Sequence, residues 1–135
     1  TDKFTRAKSA LLGGDDRVIE LPVAYAVSNA EVFAKSGVKI LSSFSRLTHL
    51  AFGCENSNIE LLKQTADAHK NTAVQSLVAK EMQNGSYYPK AIESAVRAIY
   101  GEKTAEILAT PNNVLAVEYL KAWPSNISPL PIRRE

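Results

Sequence analysis

Four residues in this 135-residue chain combine a reactive or flexible residue type with a place where a strand or helix begins or ends. Asn112 and Asn113 follow Thr110-Pro111 and precede the apolar pattern Val114, Leu115, Val117, Leu120. An asparagine there caps a helix. Beside the unpaired amides of a helix N-terminus it can also meet a phosphate or ribose, which those amides and the helix dipole favour. Arg134 closes the run Pro129-Leu130-Pro131-Ile132-Arg133-Arg134, which reads as a strand. A guanidinium at a strand's carboxyl end suits a polyphosphate through charge-assisted, often two-pronged bonds. Gly53 halts the apolar run His49 to Phe52. Its missing side chain serves either a simple turn or the close approach of a nucleotide to the backbone.

Other reactive residues lack the company their chemistry needs. Cys54 has only His49 and His69 as potential bases, at spacings that tie neither to it, and reads as structural. Two histidines and one cysteine give no metal constellation. Glu20, at the end of an apolar run, reads as a structural carboxylate. Lys3, Arg6 and Lys8, and further along Lys63, His69, Lys70 and Lys80, read as solvated helix faces. Tyr87 and Tyr88 suit stacking on a base or packing at a helix corner, and the spacing does not choose between them.

The positioning elements follow from hydrophobic period. Arg17 to Leu21 is a short apolar run stopped by Pro22 and reads as a buried strand. Val32, Phe33, Ile40, Leu41 and Phe44 make a helical pattern with Ser28 or Asn29 as its cap, and His49 to Phe52 reads as a second strand. Strand, helix, strand is one βαβ crossover. Its strands are parallel and its crevice lies beyond their carboxyl ends, which places residues 22–28 and 53–55 on one rim. Ahead of it, residues 5–12 read as a helix capped by Thr1 or Asp2 and stopped by Gly13-Gly14. Behind it lie three apolar stripes at helical spacing: Ile59, Leu62, Ala66; Val74, Leu77, Val78, Met82; and Ile92, Ala95, Val96, Ile99. Gly85 ends the second of these helices and Pro89 begins the third.

Composition sets the outer bounds. With 45% hydrophobic residues the chain can bury one core, and a net charge of +2 is too small to argue for nucleic acid by itself. No apolar run approaches the roughly 20 residues needed to span a bilayer, so no membrane partner is expected. A lone cysteine fits a reducing compartment, so the cytoplasm is the expected location.

Five ordered segments carry a resemblance: Asp2-Lys3-Phe4-Thr5-Arg6-Ala7; Glu20-Leu21-Pro22 running on to Phe33-Ala34-Lys35-Ser36-Gly37; Phe52-Gly53-Cys54-Glu55; Gly85-Ser86-Tyr87-Tyr88-Pro89; and Asn112-Asn113-Val114-Leu115 with Glu118-Tyr119-Leu120. Together they resemble the bacterial tRNA(Met) cytidine acetate ligases, a branch of the nucleotidyltransferase superfamily. The resemblance covers nearly the whole chain. It implies an α/β fold, a Rossmann-like (HUP-type) nucleotidyltransferase with a parallel-sheet core and an added helical segment. The core would comprise residues 1–56 and 110–135, the helical insertion residues 57–109.

The resemblance further implies an ATP-dependent ligase that makes acetyl-adenylate and acetylates the wobble cytidine of elongator methionine tRNA. Gly53, Asn112 or Asn113, and Arg134 would then bind ATP, magnesium would accompany it, and Lys3, Arg6 and Arg133 would contact phosphate or tRNA. The family's HxGH-type motif is not among these residues, which marks the chain as an internal piece, expected not to turn over ATP alone. Two alternatives stand beside this reading. One is an adenylyltransferase acting on a small phosphate-bearing substrate, which would need no tRNA surface. The other is a non-catalytic RNA-binding domain, which would lose no nucleotide binding on Asn113→Ala.

Overall fold

The structure is a computed structural model that describes residues 2–134. Helix α1 (Lys3–Leu12) starts where Asp2 Oδ1 accepts from the amides of Phe4 and Thr5, at 2.9 and 3.0 Å, and it ends at Gly13. Thr1, the alternative cap, lies outside the described residues. Gly14, at φ 111°, makes the turn that a side chain would resist.

The expected strand at residues 17–21 does not form. The segment joins no ladder, and Val18 and Ile19 are 46% and 44% exposed. An apolar run becomes a strand only when another backbone takes up its N–H and C=O groups, and none among the described residues does. The following loop instead contains one helical turn, α2 (Val23–Ala26). Asn29 caps α3 (Ala30–Ser42), its Oδ1 accepting from Val32 N at 3.0 Å, and α3 buries Ala34 and Val38.

Among the described residues the sheet has two parallel strands, β1 (His49–Cys54) and β2 (Ser128–Arg133), in the register His49 opposite Ser128 through Cys54 opposite Arg133. Gly53 therefore lies inside β1 and does not end it, since the ladder continues through Cys54. Ser128 N donates to Thr48 O at 2.8 Å and Arg134 N to Cys54 O at 2.9 Å. Alternation then turns the nitrogens of Pro129 and Pro131 away from β1, so the missing donors fall on the outer edge of β2. Such an edge resists further pairing.

Five helical segments and one 3₁₀ turn connect the strands: α4 (Ile59–Ala68), α5 (Thr72–Gln83), α6 (Tyr88–Tyr100), α7 (Glu102–Glu106), the turn at Ile107–Ala109, and α8 (Pro111–Lys121). Asn58 and Asn71 cap α4 and α5 through their side chains. Gly85, at φ 92°, and Pro89, in the first turn of α6, punctuate the chain as their residue types require.

Two buried clusters result. In the first, Phe52 and Cys54 of β1 meet Leu62 and Ala66 of α4, Ile107, and Ala116, Val117 and Leu120 of α8. In the second, Ala68 joins Val74 and Val78 of α5, Ala91, Ile92, Ala95 and Val96 of α6, and Ala105. The stripes are core as expected, except that Met82 is 47% and Ile99 39% exposed at their C-terminal ends. The difference should appear in stability. Leu62, fully buried, should cost about 2–5 kcal/mol as Leu62→Ala, whereas Met82→Ala should stay within about 0.5 kcal/mol. Urea unfolding midpoints at unchanged m-value would check both.

Candidate functional site

At the carboxyl end of β1 the chain turns into α4, and the N-terminus of α8 meets it there. Helix α8 begins at Pro111, which has no N–H, so its first unpaired amides belong to Asn112 and Asn113. Neither asparagine caps the helix. The helix boundary residue, Thr110, makes no side-chain cap either. The cap is Glu55, 55 to 58 residues away in sequence. Its Oε1 accepts from Asn112 Nδ2 at 2.7 Å and, more distantly, from Asn112 N at 3.4 Å. Its Oε2 accepts from Asn113 N at 2.8 Å and from Thr110 Oγ1 at 3.1 Å.

The contact is returned. Asn113 Oδ1 accepts from Glu55 N at 3.0 Å and Asn56 N at 2.9 Å, the amides that leave the strand without a ladder partner. Asn113 is only 3% exposed, and its Nδ2 has no acceptor among the described residues. Burial alone would raise the Glu55 carboxyl, but the bonds from Asn112 and Thr110 outweigh it and hold it below its ordinary value.

Arg134 completes the arrangement. Its Nη1 donates to Asn112 Oδ1 at 3.1 Å, and its stem lies over Gly53, where an added Cβ would stand 3.0 Å from Arg134 Cδ. That close approach is what Gly53 provides. Since a guanidinium carries five N–H donors, one bond to Asn112 leaves the others for a ligand. Beside it opens a cavity of about 480 Å3 lined by Glu55, Asn56, Ser57, Asn58 and Arg133, with the N-terminus of α4 at its edge. An anion in this cavity would meet Arg133 and a helix N-terminus.

The residues singled out from sequence thus fall into two groups. Gly53, Asn112, Asn113 and Arg134 come together, with Arg133 on the adjoining cavity. Lys3 and Arg6 line a separate groove with Phe4, Val18 and Ile19, and Lys3 Nζ is paired with Glu20 Oε1 at 2.8 Å. Residues 22–28, expected on the same rim as 53–55, contribute no described bond to the cluster. Cys54 is buried, and its Sγ donates to Ile132 O at 3.6 Å. Burial, with the Glu55 charge beside it, pushes the thiol up and keeps it protonated. No group of three His, Cys, Asp or Glu is placed to hold a metal among the described residues. Glu55 was missed as a site residue, although it stands one position past the strand in the segment that carried the resemblance.

The cluster lies beyond the carboxyl ends of parallel strands, where open α/β sheets bind their ligands. The model for the HIGH Nucleotidyl Transferase family matches residues 1–135, and the chain belongs to that family. Its relatives include the tRNA(Met) cytidine acetate ligase of Acetivibrio thermocellus, 36% identical over 98% of this chain and 34% of the relative. That of Caldicellulosiruptor saccharolyticus is 40% identical over 98% and 34%. A crystal structure of Thermotoga maritima TmcAL bound with alpha-thio ATP superposes with a TM-score of 0.89 at 33% identity, over 99% of this chain and 35% of that one. The chain therefore spans about a third of the length of the curated relatives it matches.

Two outcomes test the Glu55–Asn113 contact. Asn113→Ala strips the acceptor from two strand-end amides and should cost about 1–3 kcal/mol in chemical denaturation. A carboxyl whose folded value is lowered stabilises the fold above its ordinary value of 4.5 and loses that contribution as pH falls through the lower folded value. The melting-temperature gap between wild type and Glu55→Gln should accordingly be widest above pH 4.5 and narrow under more acid conditions. A gap independent of pH would contradict the charged cap.

Proposed function

We propose that the chain is the nucleotide-binding part of an ATP-dependent ligase that activates acetate as acetyl-adenylate and acetylates the wobble cytidine of elongator methionine tRNA. Two facts outside the site support this reading: family membership, and relatives of that name along nearly the whole chain. The structural observation that carries it is Arg134, held by Asn112 over the bare backbone of Gly53 and next to the Glu55–Asn113 contact.

On this reading acetate oxygen attacks the α-phosphorus of ATP, pyrophosphate leaves, and the cytidine amine then displaces AMP from the acetyl carbonyl. The protein supplies position and charge, and no protein nucleophile is needed. Arg134 and Arg133 offset charge on the phosphates. Gly53 makes room for the Arg134 stem, and Asn113 Nδ2 is a donor left for the nucleotide. Asn112, already bonded at both ends of its amide, orients Arg134.

Arg6 and Lys3 are proposed contacts to the RNA backbone, and a tRNA acceptor implies the cytoplasm. Residues 1–56 and 110–135 would form the nucleotide core, and residues 57–109 the insertion. Magnesium commonly accompanies ATP chemistry, but the residues present offer it no ligand set: both Glu55 oxygens are taken by the start of α8. No step is routed through it.

The test is acetate-dependent exchange of labelled pyrophosphate into ATP by the complete gene product. Exchange should require acetate and fall about a hundredfold or more in Asn113→Ala and in Arg134→Ala, the scale of losing one charge-stabilising donor. Absence of exchange in a folded, ATP-binding protein would overturn the ligase reading in favour of adenylyl transfer to another acceptor.

A further inference from the structure

Glu55 and Arg134 carry opposite charges at one end of the molecule, yet no ion pair joins them among the described residues. The Asn112 side chain stands between. Its Nδ2 donates to Glu55 Oε1 at 2.7 Å, and its Oδ1 accepts from Arg134 Nη1 at 3.1 Å. An amide can be turned either way. A carboxylate has no proton to give and a guanidinium accepts none, so only this orientation satisfies both. The bond to the carboxylate is charge-assisted, and it makes the oxygen at the other end of the amide a better acceptor.

Glu55 has no capacity left for a ligand. Oε1 takes Asn112 Nδ2 and, at 3.4 Å, Asn112 N; Oε2 takes Asn113 N at 2.8 Å and Thr110 Oγ1 at 3.1 Å. Four donors fill a carboxylate. Burial raises this carboxyl, but the bonds from Asn112 and Thr110 hold it below its ordinary value, so it is charged and no base at neutral pH. Arg134 is the opposite case. It is exposed, and apart from the bond to Asn112 its side chain is steadied where the stem crosses Gly53. A long exposed side chain explores many rotamers, and freezing one at the moment of binding weakens binding. A direct ion pair with Glu55 would freeze it beforehand, but would set a carboxylate against any approaching phosphate. A neutral amide between the two fixes the guanidinium and leaves its charge uncompensated.

We infer that Glu55 is a positioning residue for Arg134, acting through the orientation it imposes on Asn112. The inference takes from the ligase reading only that Arg134 meets phosphate. Glu55→Gln exposes the device. The fixed backbone amide Asn113 N keeps the glutamine oxygen, so the new NH2 group faces Asn112. Asn112 then turns its own oxygen to that NH2 and its Nδ2 to Arg134, donor against donor, and Arg134 is released. Adding Asn112→Asp to Glu55→Gln rebuilds the bridge, because one aspartate oxygen accepts from the glutamine amide and the other from Arg134.

The first readout is NMR of the Arg134 Nε–H in the complete gene product without substrate, its signal identified by Arg134→Lys. It should be ordered in wild type, mobile in Glu55→Gln, and ordered again when Asn112→Asp is added. Trp123 Nε1–H, bonded to Ile127 O at the far end of α8, should not shift in any of them. The second readout is pyrophosphate exchange. Glu55→Gln should cost about tenfold, the scale of ordering one long side chain during binding. In an Arg134→Ala background it should cost no more than about twofold. A carboxylate that only caps α8 would cost the same in both backgrounds. Melting temperatures check each variant's fold, and the wild-type signal stands without them: an Arg134 as mobile as the exposed Arg46 would overturn the inference. So would an Arg134 still ordered in folded Glu55→Gln, no recovery in the folded double variant, a shifted Trp123 signal, or equal losses in the two backgrounds. A protein that shows the tether but exchanges no pyrophosphate loses the ligase reading alone. One that exchanges while Arg134 ignores Glu55 loses the positioning role alone.

Discussion

Everything at the working end of this molecule depends on the exchange of hydrogen bonds between Glu55 and Asn113. A parallel strand that stops leaves amides without partners, and a helix that starts leaves others. Here each element satisfies its neighbour's orphans: the carboxylate takes the first amides of α8, and the Asn113 side chain takes the last amides of β1. Removing Asn113's side chain strands the end of β1, and removing Glu55's strands the start of α8. The choice of a carboxylate also fixes where an anion can go. With the N-terminus of α8 already occupied by negative charge, phosphate is left to Arg133 and Arg134 at the end of β2 and to the N-terminus of α4, which only the neutral Asn58 caps.

The packing beneath makes this contact rigid. Phe52 projects from β1 onto α8, with Tyr119 at a centroid distance of 5.8 Å and Trp123 edge-on at 5.7 Å. Trp123 Nε1 donates to Ile127 O at 2.7 Å, which ties the end of α8 to the start of β2. Strand, helix and next strand are thus fastened at both ends, so Arg134 emerges at a fixed point beside Asn112. Lys121 is held by Glu118 one turn before that junction.

Much of this was legible in the residues, for physical reasons that also mark where legibility stopped. The helices announced themselves because their period is local, and Asn29, Gly85 and Pro89 punctuate at a range of a few residues. Residues 17–21 were misread because an apolar run is the same string whether or not a partner strand exists. Gly53 was read as a stop, because sequence does not distinguish a glycine that ends a strand from one that makes room for an arginine 81 positions later. The cap of α8 was assigned to a local asparagine for the same reason: the true cap, Glu55, is distant in sequence, and helix-cap rules look only nearby. The cluster of Gly53, Asn112, Asn113 and Arg134 was found through resemblance, with the chemistry of each residue type consistent but not sufficient.

The central claim is that Glu55 and Asn113 act as one unit in holding the nucleotide. A double-mutant cycle on ATP affinity, with Glu55→Gln, Asn113→Ala and the pair, tests it most directly. The account predicts that the second substitution adds little to the first, with a coupling of about 1–3 kcal/mol. Effects that simply add, within about 0.5 kcal/mol, would show two independent residues and contradict it.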